Sequence, residues 1–303
     1  MSSQQRERHL LHPAHWPVWI AIGALRILIY FPWKTQLALG QWLGKFAFRF
    51  LPKRRHITEV NLKLCFPEMP AAERKVLAQQ HYAALGAGIV ETGMAWYAPT
   101  SQLPQYQIIG EEHLQAARSL GKGVILFTAH FTTLEMCGRI FLENHPLGGL
   151  FRNPDHPVVA REMLRRRLNK MAVAVPMDDL RGLLRALKKG HVMWYAADQG
   201  KQSKFSQLLP FFGVPALTNT ATSRIAEMSG APVVPYYGIR KNDGTYELQI
   251  LPALGNFPSA DAEADALRTN HLIESFIHAA PEQYFWVHRR FKRRGAGHAD
   301  VYR

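Results

Sequence analysis

The chain is poor in cysteine, with Cys65 and Cys137 its only two in 303 residues. That number leaves no room for a disulfide framework and suits a reducing compartment. Cys137, two residues past Glu135, reads as a buried structural thiol. No HExxH, Cys-x2-Cys, GxxxxGK[ST] or GxSxG pattern occurs, so neither a metal, a bound nucleotide nor another cofactor is implied, and no serine-elbow nucleophile is present. Internal repeats, low-complexity tracts and Gly/Ser linkers are missing as well, which argues for one catalytic domain behind an N-terminal segment. Acidic side chains are scarce: 23 against 37 Lys and Arg, a formal charge of +14. Such a surface calls for a polyanionic partner, whether nucleic acid, anionic lipid or an acidic protein. Composition does not choose among the three.

One long apolar run is present, Trp16–Trp33, whose 18 residues include Arg26 as the only charge. As a helix it would reach about 27 Å, close to the ~30 Å hydrocarbon core of a bilayer. Arg26 near its middle would cost roughly 2.5–3.5 kcal/mol in a spanning helix, and Pro17 and Pro32 bracket the usable length. The segment therefore fits a shallow span, a re-entrant piece or a helix lying in the interface, and aromatics at both ends suit an interfacial belt. No small-residue cleavage site follows, which speaks against a cleaved signal peptide. Arg6 and Arg8 precede the run, whereas Lys34, Lys45, Arg49, Lys53, Arg54 and Arg55 follow it, an asymmetry that favours a cytoplasmic main body. Within Leu37–Leu51, Trp42, Phe46 and Phe50 recur at i, i+4 and i+8 beside Lys45 and Arg49, the pattern of a helix that rests on an anionic bilayer. An amphipathic helix packed on the core is the alternative. The expected division is a membrane anchor and interfacial helix over 1–55 and a catalytic domain over 56–303.

Residues 56–98 read as helical. Beyond them apolar runs alternate with helical patterns. Strands are expected at Tyr106–Ile109, Val124–Thr128, Gly149–Arg152, Ala172–Val175, Val192–Ala196, Val233–Ile239 and Tyr246–Leu251. Helices are expected at Thr133–Glu143, Val158–Lys170, Asp178–Lys189, Asn219–Met228 and Ala262–Ala279. The alternation predicts an α/β fold, a mixed and largely parallel sheet flanked by helices, with an antiparallel strand near Tyr246 at its edge. In such sheets sites form beyond the carboxyl ends of the strands. His130, Arg152 and Asp198 all follow expected strands and so can converge there.

The most informative stretch is Gly121–Arg139, where an apolar run ends at His130 and Glu135 follows five residues later. A histidine and a carboxylate so placed can strip a proton from a hydroxyl and let it attack an acyl group. The spacing alone is weak, since 14 His and 23 acids yield about one such pair by chance. In a single helix the two would stand about 140° apart, so His130 must lie outside the helix and Glu135 in its opening turns. Thr132, three residues before Glu135, makes a capping box, which gives Glu135 a purely structural alternative. Arg152 can hold a phosphate or a developing oxyanion, or merely sit in a surface turn. Of Arg165, Arg166 and Arg167, at most one or two can face a site. Asp198-Gln199-Gly200 at a strand end is a site candidate or a turn former. Near the C-terminus, residues 286–294 hold six basic positions counting His288, suited to nucleic acid, to lipid phosphates or to neither.

Together these segments resemble the late acyltransferases of lipid A biosynthesis, the lauroyl- and myristoyl-transferring family within the lysophospholipid acyltransferase superfamily. The resemblance runs over nearly the whole chain: HPAHWPVWIAIGALR, RRHITEVNLKLCFPEM, ETGMAWY, the HFTTLE block, RRRLNK, LRGLLRALKKGHVMWYAADQG, PFFGVPALTNTATSRIAEMSGAPVVP and PEQYFWVHRRFKRR. The His-x4-acid block is shared by the superfamily, whereas AADQG and PEQYFWVHRRFKRR are more specific to the lipid A branch, which also commonly carries Glu as the acid. The resemblance implies a glycerophosphate acyltransferase-like fold with an N-terminal membrane-associated helix, on the cytoplasmic face of the bacterial inner membrane. It implies acyl carrier protein as donor and a phosphorylated, Kdo-bearing lipid A precursor as acceptor. By position it gives His130 as general base, Glu135 as the group that orients it, and Arg152, Arg167, Asp198 and Gln199 as substrate-binding or site-shaping residues.

Three other readings compete. An acyltransferase of the same fold could act on a glycerophospholipid or another glycolipid, with acyl-CoA as donor. A nucleic-acid-binding protein would account for the charge but not for the apolar segment, and no RRM, KH or zinc-finger pattern is visible. A non-catalytic membrane scaffold is the third.

Overall fold

The computed structural model describes residues 10–200, 205–293 and 299–303. Arg6, Arg8 and Arg294, counted in the charge patterns above, lie outside the described residues. Four helices come first: α1 (Trp16–Leu28), α2 (Trp33–Phe50), α3 (Pro52–Cys65) and α4 (Ala71–Tyr97). Strands β1 (Tyr106–Ile109), β2 (Val124–Thr128), β3 (Gly148–Phe151), β4 (Val173–Pro176) and β5 (Val192–Ala196) then alternate with helices α5 (Glu111–Ser119), α6 (Leu134–Asn144), α7 (Pro157–Arg166) and α8 (Leu180–Lys188). A hairpin, β6 (Ser206–Phe211) and β7 (Val214–Asn219), leads to α9 (Ala221–Ser229), and β8 (Val233–Arg240), β9 (Tyr246–Ile250) and α10 (Ala262–Ala279) complete the body.

Seven strands form one sheet in the order β1-β9-β8-β2-β5-β3-β4, every pairing parallel except β8 with β9. The expected mixed, largely parallel α/β sheet flanked by helices is present. The antiparallel strand near Tyr246 is there too, but it stands one place in from the edge, because β1 pairs with it on the outside. All five residues of β2 are buried, as a central parallel strand covered on both faces requires. The β6–β7 hairpin and α5 were not anticipated. The helix EEHLQAARS buries only Leu114 and Ala117, so its apolar signal is thin.

The N-terminal segment is built differently from a single apolar rod. Helix α1 stops at Leu28, and the chain turns through residues 29–32 before α2 starts at Trp33. Among the described residues no helix is long and apolar enough to cross a membrane. Arg26, the charge that made a span costly, donates from Nη2 to Glu162 Oε2 at 2.8 Å and lies over the Tyr97 ring at 4.8 Å. The aromatic stripe of α2 is exposed as its spacing suggests: Trp42 and Phe46 stack at 5.9 Å between ring centroids, and Phe46 meets Phe50 at 4.4 Å.

The other face of α2 lies against α4 through glycines. A Cβ on Gly86 would collide with the Gly40 carbonyl oxygen and the Gly44 backbone, and one on Gly44 would collide with the Tyr82 carbonyl. Backbones this close leave no volume for a methyl group. Gly86→Ala is therefore expected to destabilise the protein by about 1–3 kcal/mol, the usual scale of overpacking, and to lower the midpoint of denaturant unfolding accordingly. An unchanged midpoint would mean that the two helices separate freely.

Candidate active site

His130 and Asp198 are brought together by strand register. Strands β2 and β5 are paired so that Thr128 faces Ala196. Two residues further along each parallel strand stand His130 and Asp198, and the imidazole Nδ1 lies 2.6 Å from Asp198 Oδ1. The backbone around His130 is clamped from the other side by the C-terminal segment. Phe285 N–H donates to the His130 carbonyl at 3.1 Å, Thr132 N–H donates to the Gln283 carbonyl at 2.8 Å, and Phe131 bridges Tyr284. Helix α4 approaches the same turn so closely that a Cβ on Gly88 would come within 2.7 Å of the Thr132 carbonyl oxygen.

The electrostatics follow from that placement. The Asp198 carboxylate is 2 % exposed. Burial alone would push its pKa up, but the charge and hydrogen bond of His130, with the charge of Arg290, hold it below the ordinary carboxylate range. Burial would pull His130 down and Arg167 acts in the same direction, yet the charge and hydrogen bond of Asp198 prevail and raise its pKa above the usual value. With Asp198 ionised, Nδ1 is the nitrogen that carries the proton, and Nε2 keeps its lone pair. The ring is 30 % exposed and meets Trp194 edge-on at 6.0 Å between centroids, so it stands at the rim of the sheet and not inside the core.

Glu135 does not orient His130 in this structure; that place on Nδ1 belongs to Asp198. Helix α6 begins at Leu134, one residue later than expected, and directs Glu135 toward α4 and the end of α7. Its Oε2 accepts from Trp96 Nε1 at 2.8 Å, and its Oε1 lies 3.3 Å from Arg167 Nη1. The capping box does not form either. The N-cap, Thr133, donates its hydroxyl to the Gly238 carbonyl at 2.7 Å instead, and Thr132 Oγ1 is buried without a partner among the described residues.

The other expected residues divide. Arg167 reaches the site because the helix expected over Val158–Lys170 ends at Arg166, so that Arg167 caps it before a short 3-10 turn at Leu168–Lys170. Arg152 behaves as a surface-turn residue: its side chain is 74 % exposed and pairs with Asp155 at 3.6 Å. Gln199 is exposed beside the buried Asp198. Three residues that spacing did not single out also belong here. Tyr284, His288 and Arg290 come from the PEQYFWVHRRFKRR ending, which the sequence marks as a run of positive charge and a family-specific motif without giving any of the three a role. Arg290 is buried, donates from Nη2 to Thr218 Oγ1 at 3.1 Å and also bonds the Leu217 carbonyl, and lies over the Phe211 ring at 4.8 Å. Burial, together with the charges of Arg290 and His130, holds His288 below its usual pKa despite the pull of Asp198.

Beside Trp194 lies a small, partly open pocket. Its wall is apolar at Ala95, Trp96, Leu134, Leu142, Leu147 and Trp194, and Glu135, Arg166 and Arg167 also border it. Among the described residues no group of His, Cys, Asp and Glu could hold a metal ion. A strand-end imidazole with an ionised carboxylate behind it, next to an apolar slot, is equipped to activate a hydroxyl toward an acyl group without a covalent intermediate.

Comparison with known proteins gives the class that this site serves, an acyltransferase. Residues 3–293 match the family model of the bacterial lipid A biosynthesis acyltransferase, and the chain belongs to that family. It is 40% identical over 291 residues to the lipid A biosynthesis lauroyltransferase of Escherichia coli (strain K12), covering 95% of each chain. To the lipid A biosynthesis palmitoleoyltransferase of the same organism it is 35% identical over 298 residues, covering 97% of each. A looser likeness links it to the crystal structure of the 1-acyl-sn-glycerophosphate acyltransferase PlsC from Thermotoga maritima, at 15% identity and a TM-score of 0.40, over 80% of this chain and 96% of that one. That likeness is too distant to inform the chemistry.

Proposed function

We propose that this enzyme moves a fatty acyl chain from the thioester of acyl carrier protein to a hydroxyl of a Kdo-bearing lipid A precursor, at the cytoplasmic face of the bacterial inner membrane. The observation that carries the reading is the His130–Asp198 pair beside the apolar pocket. His130 Nε2 takes the hydroxyl proton as the oxygen attacks the thioester carbonyl. The tetrahedral intermediate collapses with cleavage of the C–S bond, and the proton passes from His130 to the departing thiolate, leaving an ester and the free carrier thiol. Asp198 stabilises the imidazolium formed in between. Arg167, held by Glu135, supplies positive charge near the oxyanion, so Glu135 serves the site through that guanidinium. Gln199, exposed next to Asp198, is placed to touch the acceptor. The exposed aromatic stripe of α2, with Lys45 and Arg49 beside it, supports a body resting on an anionic bilayer, where the acceptor reaches His130 without leaving the lipid. A donor carried by an acidic protein also suits the +14 charge. The same pair and pocket would serve a glycerophospholipid acceptor and acyl-CoA, and the likeness to the lauroyl- and palmitoleoyltransferases favours the lipid A precursor.

The test is direct: purified full-length enzyme is given labelled acyl carrier protein or CoA thioesters with each lipid acceptor in turn. Transfer from the carrier protein to the lipid A precursor is expected, and transfer confined to glycerophosphate acceptors would overturn the reading. The pocket yields a second expectation. Gly138 borders it, and a Cβ built there meets nothing within 4 Å. Gly138→Leu should therefore fill the slot without disturbing α6, and the mass spectrum of the product should shift toward shorter chains. An unaltered chain-length profile would place the acyl chain elsewhere.

A further inference from the structure

Beside the His130 backbone lies an open groove bordered by Arg54, Gly200, Phe285 and the basic residues Arg289, Lys292 and Arg293. It adjoins the site on two sides. Gly200 follows Asp198 by two residues, and Phe285 N–H is hydrogen-bonded to the His130 carbonyl. Its rim carries Arg54, Arg289, Lys292 and Arg293, all exposed, and among the described residues no carboxylate borders it. Among the described residues none of these four cations is in an ion pair, and Arg289 alone has an aromatic partner, the Tyr302 ring at 5.7 Å. Elsewhere on this protein arginines such as Arg26, Arg139 and Arg240 are matched by acids. A ring of unmatched cations around one depression is a receptor for a multiply charged anion. Arg54 also lies four residues past Phe50, the last ring of the exposed aromatic stripe, within about 14 Å of chain. If the stripe rests in the bilayer, the groove opens at the depth of lipid headgroups.

We propose that this groove is the phosphate site of the acceptor: Arg54, Arg289, Lys292 and Arg293 hold a phosphate group of the membrane-resident glycolipid and so bring its hydroxyl to His130. The assignment rests on the function proposed above and adds the group by which the acceptor is recognised. It also separates the two ligands in space. The acyl chain lies on the Trp194 side of the imidazole and the charged headgroup on the Phe285 side.

The experiment uses the full-length enzyme and the triple variant Arg54→Gln, Lys292→Gln, Arg293→Gln, whose exposed positions leave the core intact; circular dichroism verifies this. Steady-state kinetics are run with the phosphorylated lipid A precursor and with the same lipid after phosphatase treatment. The variant is expected to raise KM for the phosphorylated acceptor about tenfold or more, to leave KM for the acyl carrier thioester within about twofold, and to abolish the preference for phosphorylated over dephosphorylated lipid. The wild-type KM for the acceptor should also climb with salt more steeply than the variant's, because the contacts are exposed. A variant that loses affinity for the carrier thioester instead would assign the groove to the donor protein and overturn the proposal. Unchanged constants for both substrates would overturn it while leaving the acyltransferase reading intact. A wild-type enzyme that transfers nothing to the lipid A precursor would overturn both.

Discussion

His130→Ala should fold normally and lose about 10²–10⁴-fold in transfer rate, the usual scale for a removed general base. The ring is partly exposed and fills no core position, so little packing is lost with it. The group most at risk is the buried Asp198, which loses its hydrogen-bond partner but stays within the field of Arg290. The fold should therefore survive while the hydroxyl goes without a proton acceptor. Single-turnover transfer of a labelled acyl chain, measured beside circular dichroism, checks this. Undiminished turnover would hand the chemistry to another base, or the protein to a scaffold role.

Asp198→Asn is expected to have a comparable effect by another route. The amide is nearly isosteric but uncharged, and it can present its NH2 to Nδ1, which forces the imidazole into the tautomer whose Nε2 carries the proton. A loss on the order of 10²–10⁴-fold follows. The pH profile should shift as well, with a definite sign. A base works when neutral, so wild-type activity falls as pH drops through the His130 pKa, which Asp198 holds above the usual value. Without that carboxylate, burial and Arg167 act unopposed and lower the pKa. The acid limb of kcat/KM in the variant should therefore move to lower pH while the plateau falls. A limb that stays in place would show that the carboxylate does not govern the base.

Much of the sheet was legible because its strands are short apolar runs bounded by turns. Val124–Thr128 and Val192–Ala196 were placed to the residue, and their parallel pairing is what sets His130 opposite Asp198. Sequence reasoning could say that His130, Arg152 and Asp198 each follow a strand, but not which of them meet. Neighbouring strands in the sheet need not be neighbours in the chain, and β5 lies beside β2 with two strands between them in sequence. Arg152 follows β3, on the far side of β5 from β2, and ends at the surface. The pairing of Glu135 with His130 failed for a local reason: five residues of sequence separation do not say which way a helix start turns its side chain. The contribution of Tyr284, His288 and Arg290 was hidden because it depends on a backbone pairing across more than a hundred residues. The sequence shows their motif as a run of positive charge resembling the lipid A branch, not where any one side chain lands.

The clasp between Arg26 and Glu162 bears on how far the N-terminal helix can be treated as an interchangeable tether. Glu162 is 1% exposed, and Arg26, Arg166 and Tyr97 surround it. The same helix α7 that carries Glu162 is capped by Arg167, whose charge acts on the base. A foreign hydrophobic peptide in place of the natural one would lack that guanidinium and leave the buried Glu162 to Arg166 and Tyr97 alone. A version of this enzyme freed from its leading helix is thus a repaired-core problem before it is a solubility problem.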